Sequence, residues 1–161
     1  MPDYSYTTEA LYRGEKVCGM DLKPETIPCF MTTAFTMRGF KEVQETYATK
    51  GYTYVRTRNP NRTALGEVIS CLEGGEESLI FSSGMGAITS TLMTLLEHGD
   101  HVICNSNIYG ETFEVMTKVL SKCGVEVSFV NFQNNEDIAK AIRPETKLIY
   151  TEVLSNPTLT L

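Results

Sequence analysis

Ser78-Leu79-Ile80-Phe81-Ser82-Ser83-Gly84-Met85-Gly86-Ala87 is the stretch that decides the fold. Ser78 to Ser82 reads as a short apolar strand, and it runs directly into small residues. Those residues open a helical segment, Gly84 to Glu97, with Ile88, Leu92, Leu95 and Leu96 on roughly one face. A strand that turns at once into a helix is the opening of a crossover unit.

The same alternation continues on both sides. Upstream, Leu65, Val68, Ile69 and Leu72 recur at helical spacing, and Gly74-Gly75 closes that segment as a C-cap would. Downstream, His101 to Asn105 reads as a strand. Gly110 to Cys123 reads as one helix, with Phe113, Met116, Val119 and Leu120 inward. Val125 to Val130 is a strand, Glu136 to Ile142 a helix and Lys147 to Val153 a strand. Short polar turns separate them. This is the pattern of an α/β domain with a mostly parallel sheet and helices on both faces. The first 60 residues lack this rhythm and hold Pro2, Pro24, Pro28 and Pro60. They read as an extended arm that packs on a partner subunit, with a short helix near Phe40 to Ala48. The expected division is thus 1–60 arm and 61–161 domain.

Composition excludes several classes of function. Of 161 residues, 42% are hydrophobic and 21% charged, and the net charge is -6. Phosphate backbones need clustered Lys and Arg, and here these are scattered, so nucleic acid is no partner. No apolar run approaches the roughly 20 residues that span a bilayer, and Met1 to Tyr12 lacks a signal peptide's apolar core. Cys18, Cys29, Cys71, Cys104 and Cys123 are odd in number and form no C-x-x-C pair. They read as reduced packing residues of a cytoplasmic protein, neither a disulfide framework nor a zinc site.

In parallel sheets, ligands sit at the carboxyl ends of strands. At Ser83-Gly84-Met85-Gly86 the glycines allow close backbone approach, and the first free amides of the helix suit a phosphate. The plain alternative is a strand-turn-helix with Ser83 as N-cap. A dinucleotide site is a third reading. It is weakened because Thr89 stands where a third glycine belongs, and Asn105 where a ribose-binding acid belongs. Tyr109 stands at the mouth of the next turn. It is either a surface residue or a ring that stacks on a flat ligand and relays protons. Asn156, before Pro157, either hydrogen-bonds a polar ring substituent or makes an Asx-type turn. Within the arm, extended geometry would put Tyr54 and Arg56 on one face. They form either a phosphate clamp or a solvated basic patch.

The order of these signals is more specific than any one of them. Tyr54-x-Arg56-x-x-Asn59-Pro60, Leu72-Glu73-Gly74-Gly75, Ser83-Gly84-Met85, Tyr109-Gly110 and Ser155-Asn156-Pro157 follow one another. The series, from about Ile27 to Leu161, resembles the Cys/Met-metabolism family of pyridoxal-phosphate (PLP) enzymes. That family includes methionine γ-lyase, cystathionine γ-lyase and β-lyase, cystathionine γ-synthase and the O-acetylhomoserine sulfhydrylases.

The resemblance implies the arm and first half of a fold-type-I PLP-dependent large domain. It implies that Ser83, Gly84 and Met85 hold the cofactor phosphate. Tyr109 would stack on the pyridine ring and protonate the leaving group, and Asn156 would lie near the ring hydroxyl. Tyr54 and Arg56 would reach the neighbouring subunit's cofactor, so the site would form in a homodimer within a homotetramer. The family also needs an aspartate for the ring nitrogen and a Schiff-base lysine, and in the family's order both lie beyond Leu161. Lys16, Lys23, Lys41, Lys50, Lys118, Lys122, Lys140 and Lys147 all lack a Ser-x-Thr-Lys setting, so these 161 residues alone are expected to be inert.

The activity implied is carbon–sulfur lysis of methionine or cystathionine by γ-elimination, giving thiol, ammonia and a 2-oxo acid. The alternatives are γ-replacement, as in O-acetylhomoserine sulfhydrylase or cystathionine γ-synthase, and a non-catalytic α/β binding module. Glu111 departs from the Cys or Gly usual after Tyr-Gly. It is either a substrate-binding carboxylate that favours a distal ammonium or a complement to the helix dipole. Val153-Leu154 departs from the usual Thr-Pro or Ser-Pro.

Overall fold

The computed structural model describes residues 5–12, 24–156, 158 and 159. Met1, Pro2, Lys16, Cys18, Lys23, Pro157 and Leu161, all named above, lie outside the described residues. The chain divides into two compact units, Met1–Ile80 and Phe81–Leu161.

In the first unit, α1 (Tyr6–Tyr12) packs against α3 (Pro60–Glu73), and α2 (Phe40–Ala48) coincides with the expected short helix. The N-terminus of α3 is well specified. Pro60 occupies its first turn, where a missing N–H does no harm, and the Asn59 side chain accepts from the Asn61 amide at 2.8 Å. Asn61 also holds the preceding segment. Its Oδ1 accepts from the Phe30 amide at 2.8 Å and its Nδ2 donates to the Pro28 carbonyl at 2.8 Å. Gly74 ends the helix at φ 67, a left-handed conformation that glycine adopts without strain.

The expected apolar face of α3 needs correction. Leu65 and Ile69 are exposed, whereas Ala64, Gly66 and Ser70 are buried. The small residues face the returning Ser78 segment. A Cβ on Gly66 would stand 3.0 Å from the Ser78 carbonyl oxygen, and the Ser70 and Ser78 hydroxyls are 2.8 Å apart. Ser78 to Ser82 is not a strand either. It pairs with no strand among the described residues, and an extended segment becomes a strand only through a neighbour's ladder.

The second unit contains the sheet. β1 (His101–Asn105), β2 (Glu126–Val130) and β3 (Thr146–Tyr150) are parallel in the order β2-β1-β3. The chain leaves β1 for one side and returns through α6 (Asn135–Ala141) to the other, so the order reverses at β1. Helix α4 (Gly84–Leu95) and α5 (Gly110–Glu114) precede and follow β1. Val102 and Cys104 join Leu92, Leu96, Ile108, Met116, Leu120 and Val125 in one buried cluster. Leu95 is exposed, because only Ile88, Leu92 and Leu96 keep the four-residue spacing toward that cluster.

The expected helix Gly110 to Cys123 is broken in character. After α5 comes a π-helical turn, Val115–Val119, then a 3-10 turn, Leu120–Cys123. The hydroxyls of Thr117 and Ser121 donate to the carbonyls four residues back, at 2.8 and 2.6 Å, and compete with the regular ladder. Thr112, Met116 and Leu120 are therefore buried, while Phe113 and Val119 are exposed, although Phe113 still meets Phe129 at 4.9 Å.

Among the described cysteines only Cys104 is buried. Cys71 is half-buried and donates to Glu9, while Cys29 and Cys123 are exposed, so the packing reading fails for those two. Among the described residues no helix is long and apolar enough to cross a membrane.

The amino end of the sheet holds a buried histidine. His101 is 1% exposed, and its two ring nitrogens reach the Thr146 hydroxyl at 2.8 Å and the Ser128 hydroxyl at 2.9 Å. The imidazole thus ties all three strands. Burial holds its pKa below the ordinary value and Arg143 acts the same way, while Glu126 and Glu145 oppose. The unfolded imidazole therefore takes up its proton first, near pH 6.5. Stability should be full above that pH and decline as pH falls through it toward the lower folded value. Urea unfolding at about pH 8 and about pH 5 should show this loss, and His101→Gln should flatten it. An equal slope in the variant would refute the assignment.

Candidate active site

Three connections meet at the carboxyl edge of this sheet. The first is the start of α4. Ser83 is its N-cap, in extended geometry, and its hydroxyl accepts from the Gly86 amide at 3.0 Å. Gly84 and Met85 are the next two residues, and helix geometry leaves their amides without an intrahelical acceptor. Space is open on the Gly84 side, where an added Cβ would meet nothing within 4 Å.

The second connection runs from β1 to α5. Tyr109 is the N-cap of α5 and is 40% exposed. The third follows β3. These last two are bonded together at several points. Asn105 donates to the Thr151 hydroxyl at 3.1 Å, and Asn107 donates to the buried Ser155 hydroxyl at 3.3 Å and to that of Thr158. The Tyr109 amide donates to both carboxylate oxygens of Glu152, at 3.0 and 3.2 Å. The Thr112 hydroxyl lies 4.0 Å from the Met85 sulfur, which links the starts of α5 and α4. A recess of about 300 Å³ opens among Asn105, Asn107, Asn131, Thr151, Glu152 and Ser155.

Ser83, Gly84, Met85, Tyr109, Glu111 and Asn156 are therefore all carried by this edge's three connections. Glu111 is exposed in the first turn of α5, and Asn156 is exposed beside buried Ser155. Tyr54 and Arg56 lie in the first unit. Tyr54 bridges Ala34 in antiparallel fashion, but the extended geometry ends there: the Thr57 and Arg58 amides both bond the Tyr54 carbonyl, so Arg56 lies in a turn. The turn still brings the pair together, with the Arg56 guanidinium 5.0 Å from the Tyr54 ring centroid.

Sequence reasoning assigned no role to Glu152, Thr112 or Asn107. Glu152 lay inside the expected strand Lys147 to Val153; β3 ends at Tyr150, so Glu152 belongs to the connection that follows it. Burial pushes the Cys104 thiol up to about 12, with the Glu152 charge adding to it. Burial also raises Tyr150, against a hydrogen bond with Thr112, while Glu152 and Cys104 add to the rise. Both groups are neutral packing residues beneath the edge. Among the described residues no His, Cys, Asp and Glu group could hold a metal ion.

The family profile described as "Cys/Met metabolism PLP-dependent enzyme" matches residues 8–161. The chain belongs to this family. It is 51% identical over 109 residues to cystathionine gamma-lyase of Bacillus subtilis (strain 168), covering 68% of this chain and 28% of that protein. It is 40% identical over 135 residues to L-methionine gamma-lyase of Fusobacterium nucleatum subsp. nucleatum, covering 83% and 34%. A Campylobacter jejuni structure assigned as an O-acetylhomoserine (thiol)-lyase, with pyridoxyl-lysine monophosphate, superimposes with TM-score 0.88 at 26% identity. That match covers 99% of this chain and 40% of that one. The chain spans about a third of the length of the two curated relatives, with 28% and 34% covered.

The edge fits the family's cofactor. Two amides at a helix N-terminus suit its dianionic phosphate, open space beside Gly84 leaves room for it, and an exposed aromatic ring stands at the adjacent turn. Of the lysines in this unit, Lys118 and Lys140 sit in exposed helix ion pairs with acids of their own helices. Lys122 lies in the closing 3-10 turn, and Lys147 at the amino end of β3, opposite this edge.

The Ser83 cap can be tested without cofactor. Ser83→Ala should destabilise the protein by about 1 kcal/mol in urea unfolding, the usual worth of an N-cap. No change would mean that the Ser83 hydroxyl does not close the first turn of α4.

Proposed function

We propose that the protein bearing this chain is a PLP-dependent carbon–sulfur lyase, cleaving methionine or cystathionine by γ-elimination to a thiol, ammonia and a 2-oxo acid. The observation that carries this reading is the convergence, in a member of this family, of the α4 N-terminus, Tyr109 and the segment after β3 on one sheet edge.

Bound there, PLP would make the substrate α-proton acidic by drawing charge into its ring. The chain's own residues supply the frame. The Gly84 and Met85 amides bind the phosphate, and the Ser83 cap keeps them pointing outward. Tyr109 stacks on the ring, and its hydroxyl gives a proton to the departing sulfur. Asn156 hydrogen-bonds the ring hydroxyl. Tyr54 and Arg56 serve the neighbouring subunit's phosphate, with 1–60 as the arm and 61–161 as the cofactor domain. This requires a homodimer, and we extend it to a homotetramer in the cytoplasm. A reaction needing a bonded lysine and a ring-nitrogen aspartate takes neither from the described residues of this chain.

A γ-replacement enzyme is the second reading, favoured by the extensive likeness to the structure assigned as an O-acetylhomoserine (thiol)-lyase. The assay decides between them. The protein as it occurs, loaded with PLP, should release 2-oxo acid from methionine or cystathionine, and sedimentation should give a dimer or tetramer. Tyr109→Phe should reduce kcat at least about 100-fold. Sulfide-dependent replacement on O-acetylhomoserine without 2-oxo acid would select the second reading. An active monomer would remove the role of Tyr54 and Arg56.

Glu111 carries the substrate preference in this proposal, since its carboxylate is exposed beside Tyr109. Glu111→Gly should shift the kcat/KM ratio of cystathionine to methionine downward by about threefold, the worth of one exposed ionic contact. An unchanged ratio would leave Glu111 as a complement to the helix dipole only.

A further inference from the structure

The amide of Tyr109 is held by a residue 43 positions away. Glu152 is half-buried, and its two oxygens flank that one N–H at 3.0 and 3.2 Å. Tyr109 caps α5 with no side-chain cap hydrogen bond; its carbonyl accepts from the Phe113 amide, and the carboxylate holds its own amide at the end of the turn. Bonds from a backbone N–H to an ionised carboxylate are roughly twice as strong as neutral ones. The negative charge also lies close to the sheet, since it acts on Cys104 of β1 and Tyr150 of β3.

The neighbouring ties are separate. Asn105 with Thr151, and Asn107 with Ser155 and Thr158, hold the two connections together from positions four and two residues before Tyr109. Removing the Glu152 contact would leave those bonds intact and release only the Tyr109 end.

We infer that Glu152 is a positioning residue: it clamps the Tyr109 backbone and so sets where the phenol stands at the sheet edge. The inference rests on the reading of Tyr109 as the group that meets cofactor and leaving group. In this reading Glu152 acts through its bond to the Tyr109 amide. Gln at this position would keep one neutral acceptor and lose the paired, charged contact. A displacement of the ring by a fraction of its width lowers turnover much more than substrate binding.

Two measurements test this. In cofactor-free protein, hydrogen exchange at the Tyr109 amide should be at least about 10-fold faster in Glu152→Gln, while Val102 and Ile103 of β1 stay unchanged. Glu152→Asp keeps the charge at shorter reach and should fall between, which supplies a second variant if Gln folds poorly. In the PLP-loaded protein, Glu152→Gln should lower kcat by about 10-fold to 100-fold with KM within about threefold. The double variant Tyr109→Phe/Glu152→Gln should be no slower than Tyr109→Phe alone, because Glu152 acts through Tyr109. Unaltered exchange at Tyr109 in both variants overturns the clamp. Losses that multiply in the double variant overturn the route through Tyr109. Full turnover in Tyr109→Phe would instead overturn the role given to the phenol, and the exchange rates would still decide the clamp.

Discussion

The second unit depends on the double pairing of β1. His101 to Cys104 are all buried, and the strand is hydrogen-bonded to β2 on one side and β3 on the other. A strand flanked on both edges has its backbone groups satisfied without water, so it tolerates complete burial. Its two ends then do different work. The amino end is locked by His101 across to Ser128 and Thr146. The carboxyl end launches the Asn105–Tyr109 turn beside the segment that leaves β3. Because the chain order reverses at β1, these two connections face one crevice, where ligands bind in sheets of this kind. The geometry of this edge is thus a consequence of strand order before it is a property of any side chain.

Local chemistry was legible in the sequence wherever its cause is local. Ser83-Gly84 and Gly74 mark helix ends through a cap and a left-handed turn, and both do so in the structure. The strands His101–Asn105 and Glu126–Val130 follow from short apolar runs between turn residues. Failures cluster where the cause is distant or where side chains compete with the backbone. Ser78 to Ser82 has strand composition but no ladder among the described residues, and composition cannot supply a neighbour. The helix after Tyr109 changes type because Thr117 and Ser121 bond back to carbonyls, which a purely apolar periodicity ignores. Tyr54 and Arg56 come together through a turn and a cation–π contact, where alternation along an extended segment was expected. Tyr109-Gly110 and Ser155-Asn156 were readable because each lies in the turn that follows a strand. The Glu152–Tyr109 pairing was not, since nothing near either residue announces the other.

The neutral groups under the site bear on its chemistry as much as the polar ones above. An aldehyde cofactor is open to attack by any thiolate near it. Cys104 ends the buried run of β1, just below the turn that leads to Tyr109, and so is the thiol of the core nearest this edge in sequence. With its pKa near 12, it carries a negligible thiolate fraction at neutral pH. Two causes act together: burial, which is the larger, and the Glu152 charge. The carboxylate that ties Tyr109 therefore also suppresses ionisation beneath it, and does the same to Tyr150 on β3. A Gln at position 152 would loosen the turn and lower this barrier together. A positively charged residue there would reverse only the smaller, electrostatic part of the rise, and it would lose the acceptor for the Tyr109 amide. An acid after β3 satisfies both requirements with one side chain, and an amide or a base at that position fails at least one of them.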